Sequence, residues 1–421
     1  MRILIHDFGA YPFSVQLARE LARRDHTVRY VYLDEPGSVR GEVRMKPGDP
    51  ANFTSIGIAS PSAEHRKSLA RRIVHDCRYG SLLVDETRAF QPDLVLSADC
   101  PIFSQSMVKS TCQESGATFV FWLQDLFGLA LQAVISRRNK PLGRLLSKPA
   151  RVFENRILRT SDQVLAISPS FVDYVRDFAK PDGDVHLLPN WAPLPPVSLT
   201  EDTTKADRWG AAQGLPDGPR LLYSGTLGLK HEPSILSDLA IHLQATGGHV
   251  VVVSEGAGRE HLEEIKSRQR IPNLYLLDFQ PIGDVPAVLE SADVLLAILN
   301  EDASKFSAPS KILSYLSVGR PVLCVMPSDN FAAEVIAKAG AGVTVSATDR
   351  TEVCEIAERL IRRIDLREKM GQNGKAFAER EFQVDRIADR MLAMCGADDA
   401  VVDLQAAEIP TTNHRKVSPQ S

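Results

Sequence analysis

Two lysine-bearing loops hold the chemistry that is most legible in this chain. Leu221–Lys230 (LLYSGTLGLK) and Phe306–Pro321 (FSAPSKILSYLSVGRP) both carry a lysine where an apolar run gives way, through glycine or serine, to a helix. In the first, Gly225 and Gly228 let the main chain approach an anion closely, Thr226 lies between them, and Lys230 is expected to open the next helix. In the second, Pro309 pre-sets a first helical turn, and Ser310 and Lys311 offer a hydroxyl, an amide and an ammonium. Two such loops on one sheet build a cradle for a diphosphate, with backbone N–H groups and lysine charge facing the anion. A bound nucleoside diphosphate in turn points to group transfer. The bland alternatives are a tight strand-to-helix turn with a solvated lysine, and a Pro-Ser helix start with a surface lysine.

Other stretches could complete a site. Glu255 and Gly256 follow a strand-like run and are placed to line a nucleotide pocket, although a glycine pair after a strand is a weak signal. Main-chain groups around Phe279, just before Pro281, could read a base edge. Near the N-terminus, Gly9 stands where the first strand turns into a helix; no GxGxxG follows, so a dinucleotide fingerprint is absent. Asp125, after Gln124, ends another strand and is suited to orient or deprotonate an acceptor hydroxyl; its rival role is a helix N-cap. Asp182-Gly183-Asp184 has the look of a metal-binding triplet but sits between a helix and a strand and is taken as a turn. No metal site is expected.

These residues need a scaffold of alternating strands and helices. Arg2–His6, Thr27–Leu33, Leu94–Ser97, Thr118–Leu123, Gln163–Ile167 and Val185–Leu188 are strand-like, with helical spacing between. Prolines at 193, 195, 196, 216 and 219 and the polar run Thr200–Thr204 mark a linker. Strands then restart at Leu221–Ser224, Val250–Ser254, Leu274–Leu277, Val294–Ile298, Pro321–Val325 and Gly342–Val345. Asp349–Phe382 is helical, Val384–Met394 is a last amphipathic helix, and the polar end is expected to be disordered. The reading is α/β: two doubly wound, Rossmann-like domains facing across a cleft. Its parts are an N-terminal domain over 1–192, a linker over 193–218, a C-terminal domain over 219–382, a returning helix over 383–395 and a tail over 396–421.

Bulk properties narrow the function classes. A chain of 421 residues exceeds one hydrophobic core, and 44% hydrophobic with 24% charged residues is ordinary for a globular protein. The net charge of -4 gives no general attraction to nucleic acid. Six scattered cysteines, without a CxxC pair, suggest reduced cytosolic thiols. The start MRILIHDFG lacks a charged-then-apolar leader, so no secretory signal is expected, and no apolar run is long enough to span a membrane. The most basic segment, 136–159, interleaves Arg137, Arg138, Lys140, Arg144, Lys148, Arg151, Arg156 and Arg159 with leucines, which suits an anionic membrane surface. Its alternative is a solvated helix.

Taken together, YSGTLGLK (223–230), NLYLLDFQPIGDVPAVLESADVLLAIL (273–299), APSKILSYLSVGRPVL (308–323), AISPSFVDYV with VHLLPNW (166–191) and REKMGQNGKAFAEREF (367–382) make the chain resemble the retaining glycosyltransferases of family four, which have the GT-B fold. The PSK loop and FWLQD strand end are most similar to the colanic-acid-type subgroup of surface-polysaccharide enzymes. The resemblance implies a metal-independent transfer of sugar from a UDP- or GDP-sugar to a glycan or lipid-linked acceptor, with no separate cofactor, in the cytoplasm at the inner face of the plasma membrane. Lys230, Ser310 and Lys311 would hold the diphosphate and the stretch around Phe279 the base. Gly9 and Asp125 would stand near the acceptor hydroxyl, and the last helix would cross back to the N-terminal domain. Two departures stand out. Where many members carry paired glutamates in the second loop, this chain has Phe306 and Ser314; where they carry an arginine after the first-loop glycine, it has Thr226. Those departures leave room for a non-catalytic nucleotide-sugar-binding partner of another transferase; a sugar-nucleotide epimerase of the same architecture is a further alternative.

Overall fold

The structure is a computed structural model that describes residues 1–35, 42–59, 69–136, 140–192, 194, 203–228, 231–300 and 311–396. It divides into two units: Met1–Asn190 with the segment that returns from Val384, and Trp191–Gln383.

The first unit is built on seven strands: β1 Arg2–Asp7, β2 Thr27–Asp34, β3 Phe53–Ala59, β4 Leu94–Ser97, β5 Thr118–Leu123, β6 Gln163–Ala166 and β7 Asp184–Leu187. They form one parallel sheet in the order β3-β2-β1-β4-β5-β6-β7. The central strands are buried on both faces, which is why they appear in the sequence as unbroken apolar runs rather than alternating ones. Leu4, Val95, Phe119 and Val164 pack on one face with Tyr79, Leu83, Val108 and Leu158 from the covering helices. The helix Val384–Met394 packs on the helix Pro12–Arg23, where Arg24 pairs with Asp389 and donates to the Asp385 carbonyl at 2.7 Å.

The second unit holds β8 Arg220–Ser224, β9 His249–Val253, β10 Leu274–Leu277, β11 Val294–Ile298, β12 Val322–Val325 and β13 Gly342–Val345. The sheet is again parallel, in the order β10-β9-β8-β11-β12-β13. In both units the strand order reverses beside the first strand, and ligands of such sheets settle beyond the strand ends at that reversal. The reversal lies between β1 and β4 in the first unit and between β8 and β11 in the second.

Four elements differ from the sequence expectation. The strand β3 was not anticipated; it is an edge strand, partly exposed and interrupted by Gly57, so its apolar signal is weak. Nor was the long helix Leu69–Phe90. The stretch read as linker contains the helix Thr203–Ala212, anchored by the buried Trp209, whose indole N–H donates to Gln280 Oε1 at 3.3 Å. The helical run after Asp349 breaks at Arg363 into Arg350–Arg362 and Ile364–Glu381. The expected disordered tail lies almost wholly outside the described residues.

Candidate functional site

The site in the second unit grows from the end of β8. Gly225 has φ +126°, a conformation that favours glycine, and its N–H donates to the Val253 carbonyl at 3.0 Å. The loop then locks onto the loop after β9. Leu227 N–H donates to Glu255 O at 2.9 Å, Gly258 N–H donates to Leu227 O at 2.8 Å, and Ser254 Oγ donates to Gly225 O at 2.8 Å. Gly256 and Gly258 are needed for this fit: a Cβ would lie 3.1 Å from Leu227 O at Gly256 and 2.5 Å at Gly258. Gly256, with φ +104°, is the N-cap of the helix Ala257–Gln269. Gly225, Thr226, Glu255 and Gly256 therefore form one interlocked surface, with Thr226 and Glu255 exposed on it.

Lys311 enters the same place from the far side of the strand reversal, as the first described residue of the helix Lys311–Ser317. Its Nζ lies 3.8 Å from the centroid of the Tyr223 ring, and a Cβ on Gly225 would sit 3.2 Å from it. Tyr223 is itself fixed by donating its hydroxyl to the Thr226 carbonyl at 3.0 Å. A cation on an aromatic face, beside a glycine in a left-handed turn, is an arrangement that a phosphate can exploit.

Lys230 and Ser310, the other two residues expected to touch a diphosphate, lie outside the described residues, as does Phe306. The helix after β8 begins at Ser234, not at position 230 as the sequence suggested, because Glu232 takes a left-handed conformation (φ +45°) just before it. Ser314 is described, half-buried in the helix Lys311–Ser317, where its carbonyl accepts from Ser317 Oγ at 2.8 Å. Phe279 stands just after β10 and is 43% exposed, with Ile282 nearby at 47%.

In the first unit, the sequence pointed to Gly9 and Asp125 and missed their supports. Gly9 has no room for a side chain: a Cβ would lie 2.2 Å from the Tyr11 ring and 2.8 Å from Asp99 Oδ2. The turn is pinned by the buried Asp7, whose carboxylate accepts from Gly9 N–H at 3.0 Å and Tyr11 N–H at 2.9 Å, while Ala10 takes φ +51°. Burial pushes the Asp7 carboxyl up to about 7, and the nearby Asp99 charge pushes the same way against those N–H groups. Asp125 is exposed after β5. The start of the following helix, Phe127–Ser136, is capped by Glu154, which accepts from Phe127 N–H at 2.7 Å and Gly128 N–H at 3.0 Å. Burial raises Glu154 to about 7 against those two hydrogen bonds. The signal for Asp7 was present in its place at a strand end; that for Glu154 was not, since its partners lie 27 and 26 residues away.

Among the described residues no group of three or more His, Cys, Asp or Glu side chains is placed to hold a metal, and Asp182 and Asp184 flank a turn at Gly183 that packs on the Asp162 carbonyl. Among those residues no helix is long and apolar enough to cross a membrane.

Residues 12–194 match the model of Glycosyltransferase Family 4. The protein of Escherichia coli (strain K12) named as the colanic acid biosynthesis glycosyl transferase WcaI is 25% identical over 238 residues, which cover 55% of this chain and 57% of that relative's length. Among solved structures, the sucrose-phosphate synthase of Thermosynechococcus elongatus superposes with a TM-score of 0.68 at 15% identity, over 94% of this chain and 98% of that one. HepE of Anabaena, in complex with UDP-glucose, gives 0.65 at 12% identity over 94% and 100%. WaaG, a glycosyltransferase involved in lipopolysaccharide biosynthesis, gives 0.64 at 17% over 94% and 100%. Residues 12–194 thus match the model of Glycosyltransferase Family 4, and the two-sheet architecture of the chain is the GT-B fold.

Proposed function

We propose that this protein transfers a glycosyl group from a nucleoside diphosphate sugar to a hydroxyl acceptor, with retention of anomeric configuration, in the synthesis of a surface polysaccharide or lipid-linked glycan. One observation carries the reading: Lys311 and Gly225 meet at the strand reversal of the second sheet, with the ammonium 3.2 Å from the space a side chain on Gly225 would fill. As the glycosidic bond to the donor breaks, negative charge grows on the leaving diphosphate. The Lys311 ammonium is the group suited to stabilise it, without a metal, while the N–H groups of Gly225, Leu227 and Gly258, given to Val253 O, Glu255 O and Leu227 O, hold the loops that frame it. Lys230 and Ser310 join them on sequence grounds. Phe279 offers a face for the base. In the first unit, the Gly9 turn is proposed to stand near the acceptor, its side covered by Tyr11 and Asp99, and Asp125 is proposed to orient the acceptor hydroxyl.

The relative named for colanic acid biosynthesis supports an extracellular-glycan role, and the helix Lys140–Arg159 supports an acceptor presented at a membrane. That helix exposes Leu145, Leu146 and Val152 beside Arg144, Lys148, Arg156 and Arg159, the mixture that anionic lipid headgroups attract. The protein would then work at the cytoplasmic face.

The test is a mass-detected transfer assay with membranes and a panel of UDP- and GDP-sugars. The reading predicts a glycosylated lipid or glycan product; the absence of both turnover and nucleotide binding with every donor would refute it. A second reading rests on Phe306 and Ser314, which the resemblance sets where many family-four members carry paired glutamates: a protein that binds a nucleotide sugar and serves another transferase. Calorimetric donor binding with no turnover, and co-purification with an active enzyme, would favour it.

A further inference from the structure

The strand reversals of the two units are built differently. In the first, the ladder between β1 and β4 runs from Ile3–Leu94 through His6–Ser97, and Phe8 N–H still reaches Asp99 O at 2.7 Å beyond it. In the second, the ladder between β8 and β11 consists of Val294–Leu221 and Leu295–Leu222 and stops, although both strands continue. At that point a phenol takes over. Ser224 N–H donates to Tyr315 Oη at 3.1 Å, and the same hydroxyl lies 3.1 Å from Ser224 O and 3.4 Å from Leu296 O. A hydroxyl has one proton, so it donates to one of these two carbonyls at a time while accepting from the amide. Tyr315 is 1% exposed, and burial holds its proton on well above the ordinary phenol range.

We infer that Tyr315 is a positioning residue of the nucleotide site: its hydroxyl replaces the ladder where β8 and β11 part and so sets the opening in which Gly225 and Lys311 meet. The strands part where parallel neighbours would otherwise stay zipped, and the backbone groups left over at Ser224 are satisfied by a side chain. Lys311 and Tyr315 sit on the helix Lys311–Ser317, four positions apart and thus on one face. Gly225 and Tyr223 flank the residue that the phenol grips. The phenol therefore ties the lysine-bearing helix to the glycine-bearing loop. The Lys311–Tyr223 contact joins the two as well. The positioning role rests on the transferase reading of this site; the existence of the strut does not.

The experiment is residue-resolved amide hydrogen exchange together with calorimetric titration by UDP and GDP, on the full chain and on Tyr315→Phe. In the unmodified protein, the Ser224 amide should be protected to the level of the β8 core amides. In Tyr315→Phe, Ser224 should exchange at least about tenfold faster, while the Gly225 amide, held by Val253 O, changes little. Nucleotide Kd should rise about tenfold, and in turnover the donor KM should rise with kcat within about twofold. Val322→Ala, in the same sheet, supplies a variant with a matched loss of Tm and should alter neither Ser224 exchange nor nucleotide Kd. A Ser224 amide that exchanges like a loop amide in the unmodified chain overturns the strut. So does one that stays protected in Tyr315→Phe. Faster Ser224 exchange with unchanged nucleotide Kd overturns the positioning role, as does a Val322→Ala that reproduces both effects. If the unmodified protein binds neither UDP nor GDP, the transferase reading fails and the positioning role fails with it, while Ser224 exchange still decides whether the strut exists.

Discussion

Substituting Gly225 by alanine tests the geometry of the site in two ways at once. At φ +126°, an L-residue is strained by ~1–3 kcal/mol. The new Cβ would also lie 3.2 Å from Lys311 Nζ and 3.4 Å from its Cε. That neighbour is the far end of a flexible chain, so it moves rather than breaking the fold. In moving, it leaves the Tyr223 ring and gives up ~0.5–2 kcal/mol of cation–π attraction. The sum, ~1.5–5 kcal/mol, should lower the Tm of a unit of this size by ~3–20 °C. The displaced ammonium should weaken UDP or GDP binding by about tenfold or more. Gly247→Ala is the matched control: φ there is +71°, and a Cβ meets nothing within 4 Å. It should lower Tm through strain alone and leave nucleotide affinity untouched. Thermal denaturation and calorimetry on the two variants decide the matter. The proposed geometry is wrong if Gly225→Ala loses no more stability than Gly247→Ala and binds nucleotide like the unmodified protein.

Three further outcomes follow from the first unit. Asp7 and Glu154 both have folded-state values raised to about 7, so each binds its proton more tightly folded than unfolded; the stability they contribute is present below about pH 4 and is lost as pH rises toward 7. Asp7→Asn and Glu154→Gln should each remove part of that decline, about 1–3 kcal/mol between pH 4 and 8 by denaturant titration, since each tenfold difference in proton affinity is worth ~1.4 kcal/mol; an unchanged pH slope in both would count against the buried, N–H-pinned geometry. Arg24→Ala removes the pair with Asp389 and the bond to the Asp385 carbonyl, and should cost ~0.5–1 kcal/mol while speeding tryptic cleavage at Arg386 and Arg390; an unchanged cleavage rate would show that other packing holds the returning helix. Changing Leu145, Leu146 and Val152 together to glutamate should abolish sedimentation with vesicles of anionic lipid without lowering Tm; retained binding would place membrane contact elsewhere.

Much of the scaffold was legible because most strands of both sheets are buried on both faces. Leu221–Ser224, Val294–Ile298 and Val322–Val325 are short, nearly continuous apolar runs, so their limits stand close to those expected. Phe53–Ala59 escaped notice because one edge strand with a glycine and two serine or threonine positions has no such run. The helix Thr203–Ala212 hid among prolines, and only the burial of Trp209 shows why it forms. At the site, local chemistry was readable and tertiary support was not. Gly225 and Lys311 stand out by residue type, while Glu255 and Gly256 after a strand gave only a weak signal. Tyr315 looked like one more apolar residue of a helix, yet its hydroxyl serves a strand 91 residues earlier in the chain. Glu154 lay inside a segment that basic residues dominate, and its acceptor role depends on two helices folding together. The sequence also set the start of the helix after β8 too early, since Glu232 takes φ +45° and the helix begins only at Ser234.

The functional reading stands on a nucleoside diphosphate being held where Lys311 and Gly225 meet on the second sheet. Calorimetric titration of the full-length protein and of Lys311→Ala with UDP and GDP decides this. One of the two nucleotides should bind saturably to the unmodified chain, and Lys311→Ala should weaken that binding by at least about tenfold while lowering Tm by only ~1–8 °C through the lost Tyr223 contact. Binding of equal strength in both proteins, or none in either, would show that the diphosphate is not held there.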